Sequence, residues 1–457
     1  MKILLYGINY APELTGIGKY TGEMATWLAR QGHEVRVVTA PPYYPAWAVS
    51  AGYANRWQVQ EVDGVRVWRC PLWVPPKPGG LKRIVHLASF ALSSFPVVLR
   101  QALWRPDVVW VAEPAMFCQP AAWLTARLSG AKAWLHVQDF EVDAAFDMGL
   151  LKGQGLRRRV QGVEGWFKRR FDVVSTISGR MMERLYSKGL DARRCELAPN
   201  WVDISAITRR SRSDGPSPFR QELGITPDAV VALYSGNMGG KQGLGIMAEA
   251  ARLCPGVQFV LCGNGHGRAD LEAAAAGLTN ITFLDLQPLE RLNDLLGLAD
   301  IHLLPQRADA ADLVMPSKLT GMLASGRPVV CTAHGHTELA RVLAHHSIPL
   351  GLVTEPENPQ AMASAILHLA EDAHSRRRMG RAARAHAEKN LCIDAVLTRW
   401  LGRAQVEMGS GAFEDPVQDE PSLHSTMFQP SRWAADPPAQ APAPRREEVP
   451  MPVSERV

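Results

Sequence analysis

Four loops in the 457-residue chain combine glycine, lysine and helix-start residues in ways that suit a phosphate. The run Ser235-Gly236-Asn237-Met238-Gly239-Gly240-Lys241-Gln242-Gly243 offers the most: four glycines let the backbone approach an anion, and Lys241 supplies a counter-charge. Its spacing is not that of a Walker A loop, which disfavours a nucleoside triphosphatase. The run Met315-Pro316-Ser317-Lys318-Leu319 reads as a helix start, with proline in the first turn and the amides of Ser317, Lys318 and Leu319 turned outward. Lys318 among those amides makes a candidate diphosphate site; a well-capped helix is the plainer reading. Pro12-Glu13-Leu14-Thr15-Gly16-Ile17-Gly18 and Gly263-Asn264-Gly265-His266-Gly267 also leave strands, although each alone could be a tight turn. The second of these lacks the G-x-G-x-x-G spacing of a dinucleotide fingerprint.

Acidic and basic clusters are more ambiguous. Asp139, Glu141 and Asp143 have the look of a metal site, but in a strand-to-helix turn they are expected to be solvated caps. The basic groups at 152–159 and 168–170 fall on a predicted helix. They are either an ordinary solvated face or, with the apolar stretch Ile84–Leu99, a membrane-facing surface.

These loops need a scaffold that brings strand ends together. Apolar runs alternating with amphipathic segments predict parallel βαβ units. The predicted strands are Lys2–Gly7, Glu34–Thr39, Val65–Arg69, Val108–Ala112, Ala133–Gln138 and Val173–Ile177, then Val230–Ser235, Gln258–Cys262, Ile281–Leu284, Ile301–Leu304, Pro328–Thr332 and Leu350–Val353. Predicted helices include Gly18–Gln31, Gly243–Leu253, Leu289–Ala299 and Lys318–Ser325. The stretch Ala198–Pro218, rich in proline, serine and arginine, breaks the rhythm. The expected division is therefore residues 1–198, residues 199–408 with closing helices, and a tail over 409–457. Two open α/β halves place a ligand cleft between the carboxyl ends of their strands. The tail is polar and proline-rich, so it is expected to be a disordered extension, with a docking tail as the alternative.

A net charge of +5 is too modest for a nucleic-acid binder. Seven scattered cysteines without a C-x-x-C pair suit a reducing cytosol and no zinc site. The N-terminal apolar run reads as a buried strand rather than a signal peptide. Ile84–Leu99 falls short of the roughly 20 residues a membrane span needs and contains His86 and Pro96, so a buried or interfacial helix is expected.

Five motifs stand in register over about residues 1–405: P-E-x-T-G-I-G-K-Y, L-H-V-Q-D-F-E-V-D, Y-S-G-N-M-G-x-K-Q-G, C-G-N-G and P-S-K-L-T-x-x-L-A-S-G. Together they resemble the GT4 glycosyltransferases, and within them the colanic-acid-type enzymes. The resemblance implies a GT-B fold of two Rossmann-like domains facing across a cleft. It also implies transfer with retention, no metal or other cofactor, and a nucleotide-sugar donor held mainly by the C-terminal domain. Gly16 and Gly18 match the N-domain glycine loop, and Lys241 matches the basic residue of the diphosphate loop formed with Gly236, Asn237 and Gly239. Gly263 and Gly265 match the turn beside the nucleoside, and Glu338 the acidic residue after the following strand. Asp139 matches the acidic position facing the donor sugar, with His136 nearby.

Two departures stand out. The family's pair of glutamates falls here on Leu313 and Gly321, so the ribose contact must come from elsewhere. The usual second basic residue, an arginine, is missing, and Ser317-Lys318 is the candidate replacement. The expected chemistry is stabilisation of the leaving diphosphate by Lys241 and Lys318, with that phosphate taking the acceptor's proton and Asp139 orienting the sugar. The resemblance points to GDP-fucose as donor, with UDP-sugars open, and to a lipid-linked or oligosaccharide acceptor in exopolysaccharide assembly. The setting would be the cytoplasm, with peripheral contact to the inner membrane and no nucleic-acid partner. A nucleotide-sugar epimerase of the same fold and a degenerate scaffold subunit are the competing readings.

Overall fold

The computed structural model describes residues 1–409, apart from 14–15, 77–78, 114–115, 141, 144–153, 210–214, 216, 240–241 and 309–314. The expected tail therefore lies outside the described residues, as does Lys241.

The first sheet contains β1 (Lys2–Tyr6), β2 (Glu34–Thr39), β3 (Gln58–Val62), β4 (Val65–Arg69), β5 (Val108–Glu113), β6 (Lys132–Val137), β7 (Val173–Thr176) and β8 (Cys195–Leu197). Their order is β3-β4-β2-β1-β5-β6-β7-β8, and every pairing is parallel except the β3–β4 hairpin. That hairpin turns through Asp63 and Gly64, both at positive φ, the conformation of a two-residue turn that matches strand twist. The second sheet has β9 (Val230–Ser235), β10 (Val257–Cys262), β11 (Ile281–Leu284), β12 (Ile301–Leu304), β13 (Val329–Thr332) and β14 (Gly351–Thr354). It is parallel throughout, in the order β11-β10-β9-β12-β13-β14. In each sheet the strand order reverses beside the first strand, β1 or β9. A crevice opens at such a reversal beyond the strands' carboxyl ends.

Alternate residues of β1 feed two cores. Leu4 and Tyr6 pack with Phe90 and Val98 of helix Gly80–Arg100 and with Ala122 of helix Gln119–Ser129. Ile3 and Leu5 pack on the other face with Met24 and Leu28 of helix Gly16–Arg30. That second core also holds Val396, Leu397, Trp400 and Ala404 of the last helix, Ile393–Glu407, so the chain returns to the first sheet after completing the second. Trp134 and Trp400 lie 5.0 Å apart, and Trp27 donates its indole N–H to Asp394 at 2.7 Å. The outgoing and returning segments are paired where they cross: Val202 N–H donates to Leu391 O and Ile393 N–H to Val202 O.

Helix Gly80–Arg100 is longer than the sixteen-residue apolar stretch suggested, so length does not exclude a membrane span. One face of it is packed: His86, Leu87, Phe90, Ser94 and Val98 are buried against the sheet. The basic stretch 168–170 also departs from expectation. Lys168 is fully buried, with its ammonium 2.6 Å from Glu164 and 3.2 Å from Glu113. Arg170 lies over the Trp166 ring at 3.3 Å. Asp143, expected to be a solvated cap, is buried between Arg184 at 2.9 Å and Lys188 at 3.0 Å. These two cations offset its lost solvation, and Lys188 extends the network to Glu164 at 2.9 Å. Among the described residues no cluster of three histidine, cysteine or acidic side chains is arranged to hold a metal.

Candidate functional site

The loops leaving β9 and β10 form one side of the site, and each requires the other. Gly236 sits at φ 138° and Gly263 at φ 149°. Gly236 N–H donates to Cys262 O, Met238 N–H to Asn264 O and Gly267 N–H to Met238 O, each at 2.9 Å. A Cβ on Gly263 would stand 1.9 Å from Gly236 O, and one on Gly265 would stand 2.4 Å from Met238 O. These glycines are therefore demanded by the approach of loop to loop. Gly239 is also tight, its Cβ position 3.0 Å from the Gln242 side-chain oxygen. Asn237 is exposed, and its carbonyl accepts from the Tyr234 hydroxyl at 2.6 Å.

Lys318 rises into this loop pair from the start of helix Lys318–Ala324, just after exposed Ser317. Its Nζ lies 3.2 Å from the Cβ position of Gly236 and 4.2 Å from the Tyr234 ring centre. The ammonium donates to the Tyr234 hydroxyl at 3.1 Å and has no carboxylate partner among the described residues. Burial lowers its pKa to about 8. Among the described residues this half-buried cation meets a phenol and a glycine loop, an environment that an anionic group would complement. Gly321, three residues on, would aim a side chain at Leu296 and Ile207, so this position of the absent glutamate pair turns toward apolar packing.

The N-terminal glycine loop is organised by Glu13, which is buried. Its carboxylate accepts from the backbone N–H groups of Tyr43 and Tyr44 at 3.0 and 2.9 Å, and from the Asn9 amide at 2.8 Å. Burial raises its pKa against those hydrogen bonds and the nearby Arg69 charge. Gly18 packs on this carboxylate: a Cβ there would stand 2.6 Å from its oxygen. Gly16, at φ 61° with open space around it, is the glycine that frees the loop. The helix begun here reaches the second sheet's domain, where the Tyr20 and Thr320 hydroxyls are hydrogen-bonded two residues beyond Lys318. The structure thus brings the Gly16–Gly18 loop and Ser317–Lys318 to the same side of the interface.

Asp139 stands half-buried just past the end of β6. His136, on β6 itself, is enclosed. One ring nitrogen is 2.9 Å from the Ser175 hydroxyl, the other 3.1 Å from the Gln138 side-chain oxygen, and the ring stacks on Trp110. Burial lowers its pKa to about 4, so the ring is neutral at physiological pH. Gln138 passes the chain on to Asn200 at 3.0 Å, the residue beside the domain crossing. His136 is placed to position its neighbours, with both nitrogens already engaged.

Glu338 begins helix Glu338–Ala344, just after β13. Its carboxylate accepts from the backbone N–H groups of Gly179 and Arg180, each at 3.1 Å, at the start of helix Gly179–Ser187 in the first domain. Arg341 pairs with it at 2.5 Å, and Arg180 donates to His336 O. This acid closes the two domains on each other. Sequence spacing did not reveal that contact, nor Tyr234 and Glu13, because each acts on a partner remote in the chain.

Residues 15–201 match the model of a glycosyl transferase 4-like domain, and residues 229–372 match glycosyl transferases group 1. An Escherichia coli K12 protein assigned to colanic acid biosynthesis as the glycosyl transferase WcaI is 43% identical over 412 residues, covering 88% of this chain and 99% of the relative. Sucrose-phosphate synthase from Thermosynechococcus elongatus superposes with a TM-score of 0.70 at 15% identity, over 90% of this chain and 100% of that one. Anabaena HepE in complex with UDP-glucose superposes with a TM-score of 0.62 at 17% identity, over the same shares.

Proposed function

The chain belongs to the glycosyl transferases with 4-like and group 1 domains, and we propose that it moves a sugar from a nucleotide-sugar onto a lipid-linked or oligosaccharide acceptor in exopolysaccharide assembly, with retention. Its GT-B fold and membership make it a glycosyltransferase. The colanic acid role of the Escherichia coli relative supports the same polymer class here, and GDP-fucose is the first donor to test, ahead of UDP-sugars.

The observation that carries the reading is Lys318. A cation with a depressed pKa, facing the Gly236 loop with no carboxylate partner among the described residues, suits the diphosphate whose charge grows as the sugar bond lengthens. Lys241 lies outside the described residues and is proposed as the second cation. The departing phosphate oxygen takes the acceptor hydroxyl's proton, so no further base is required. Asp139 orients the sugar, and neutral His136 holds the end of β6 in place through Gln138. Gly16 and Ser317 line the donor's approach. The reaction is proposed for the cytoplasmic side of the inner membrane, where a lipid-linked acceptor would lie.

Donor turnover measured with GDP-fucose, UDP-glucose and related donors, with and without membrane extract, tests this. Extract-dependent sugar transfer supports it. Donor isomerisation without extract would favour an epimerase, and no turnover with any donor would favour a scaffold subunit.

A further inference from the structure

We propose that the outward face of helix Gly80–Arg100, flanked by Trp57 and Trp73, docks on an anionic lipid surface; this rests on the reading of a membrane-borne acceptor. The helix has two faces of opposite meaning. His86, Leu87, Phe90, Ser94 and Val98 face the sheet. Leu81, Val85, Leu92 and Phe95 recur at spacings of four, seven and three, which keeps them on one stripe, and all four are exposed, Leu81 to 74% and Leu92 to 76%. A soluble surface helix would carry polar residues there; this one carries apolar side chains from Leu81 to Phe95, about 20 Å at about 1.5 Å per residue.

The tryptophans are fixed beside that stripe by the helix itself. Trp57 donates its indole N–H to Ser93 O at 3.1 Å while its ring remains 61% exposed. Trp73 donates its backbone N–H to the Ser89 hydroxyl at 2.9 Å, and the residue is 43% exposed. A ring such as that of Trp57, with its polar edge satisfied and its apolar body outward, suits the boundary between headgroups and acyl chains, and Trp73 is anchored beside it through its backbone.

The charges select the kind of lipid. Lys82 and Arg83 are exposed in the first turn and Arg100 in the last. From Gly64 to Pro106 the sequence contains no aspartate or glutamate. An apolar stripe bracketed by bases, on a segment that itself carries no acid, complements an anionic interface and lies flat on it. The surface is also close to the site. His86, in the second turn, meets the Tyr43 ring edge-on at 4.8 Å, and the Tyr43 backbone N–H holds Glu13 of the glycine loop.

Co-sedimentation of the full chain with phosphatidylcholine vesicles, with and without phosphatidylglycerol, tests the docking. The wild type should prefer the anionic vesicles and release them in high salt. Leu81→Asp with Leu92→Asp should lower partitioning about tenfold or more, and Lys82→Ala with Arg83→Ala should weaken binding to the anionic vesicles alone. UDP and GDP binding by calorimetry should be unchanged in both variants, which shows that they are folded. Quenching of wild-type tryptophan fluorescence by brominated lipid, lost in Trp57→Phe with Trp73→Phe, is a readout that needs no charge in the stripe. Equal binding to both vesicle types, unaltered binding by the aspartate variant, or a stripe that instead mediates self-association by light scattering would overturn the proposal. Failure of the wild type to bind any nucleoside diphosphate would instead strike the donor reading and leave the vesicle result standing.

Discussion

Replacing Lys318 with methionine keeps the length and apolar stem of the side chain while removing its charge. In the unliganded protein, burial has brought this ammonium from 10.5 to about 8, roughly 3 kcal/mol against the charged form. A diphosphate arriving at the Gly236 loop reverses that penalty, and a hydrogen bond between charged partners is worth about 1.5–3 kcal/mol net. The expected loss in Lys318→Met is therefore about 10- to 100-fold in affinity for UDP or GDP. The sign of the pH effect follows from the same value. Below about pH 8 the lysine is protonated and binding is complete. Above it the wild type must take up a proton to bind, so affinity should fall about tenfold per pH unit. The unliganded fold behaves oppositely: because the unfolded chain holds this proton up to about 10.5, stability should rise as pH goes from about 8 to 10.5. Calorimetry with UDP, GDP, uridine and guanosine on both sides of pH 8 gives the answer. The methionine variant should bind the uncharged nucleosides like the wild type and show a flat profile above pH 8. An equal loss for nucleosides, or an unchanged slope in the variant, would remove Lys318 from the diphosphate site.

Gly263→Ala places a Cβ 1.9 Å from Gly236 O at φ 149°, so thermal denaturation should show Tm lowered by about 5 °C or more. Lys168→Met leaves Glu113 and Glu164 buried without their shared cation and should cost about 3–5 kcal/mol in urea unfolding; a near-neutral result would mean that the lysine is solvated after all. His136 should contribute no limb to the transfer pH profile between about 6 and 9, since its pKa is about 4. A limb near 6.5 that disappears in His136→Asn would contradict this. Glu338→Gln should preserve nucleoside binding while expanding the protein in small-angle scattering, because the carboxylate joins the domains through Gly179 and Arg180.

The parallel strands were legible because burial on both faces writes them as near-continuous apolar runs. β3, Gln58-Val59-Gln60-Glu61-Val62, was not, since an edge strand with one exposed face carries polar residues; the Asp63-Gly64 turn that follows was the available signal. β8 has only three residues, too few for a pattern. The glycine loops were legible as turns leaving strands, but the physical role of their glycines was not visible. Gly18 faces Glu13, and Gly263 faces a carbonyl of the neighbouring loop, contacts set by strand order. Lys168 and Asp143 show the same limit. A run of charges looks solvated until Glu113, more than fifty residues upstream, is seen beneath it.

The helix Ile393–Glu407 has a consequence for how the protein is made. Ile3, Leu5, Trp134 and Trp201 belong to a cluster that is complete only when Trp400 arrives, almost four hundred residues after the first strand. At about 5–20 residues per second, the ribosome presents the opening half of the protein tens of seconds before the element that seals its second face. Throughout that interval this face of the first sheet, covered in part by helix Gly16–Arg30, lacks the rest of its cover. The nascent chain is accordingly a client for chaperones that shield such surfaces. A nonsense mutation just before Ile393 would keep every strand of both sheets but leave Trp134 without its neighbour Trp400.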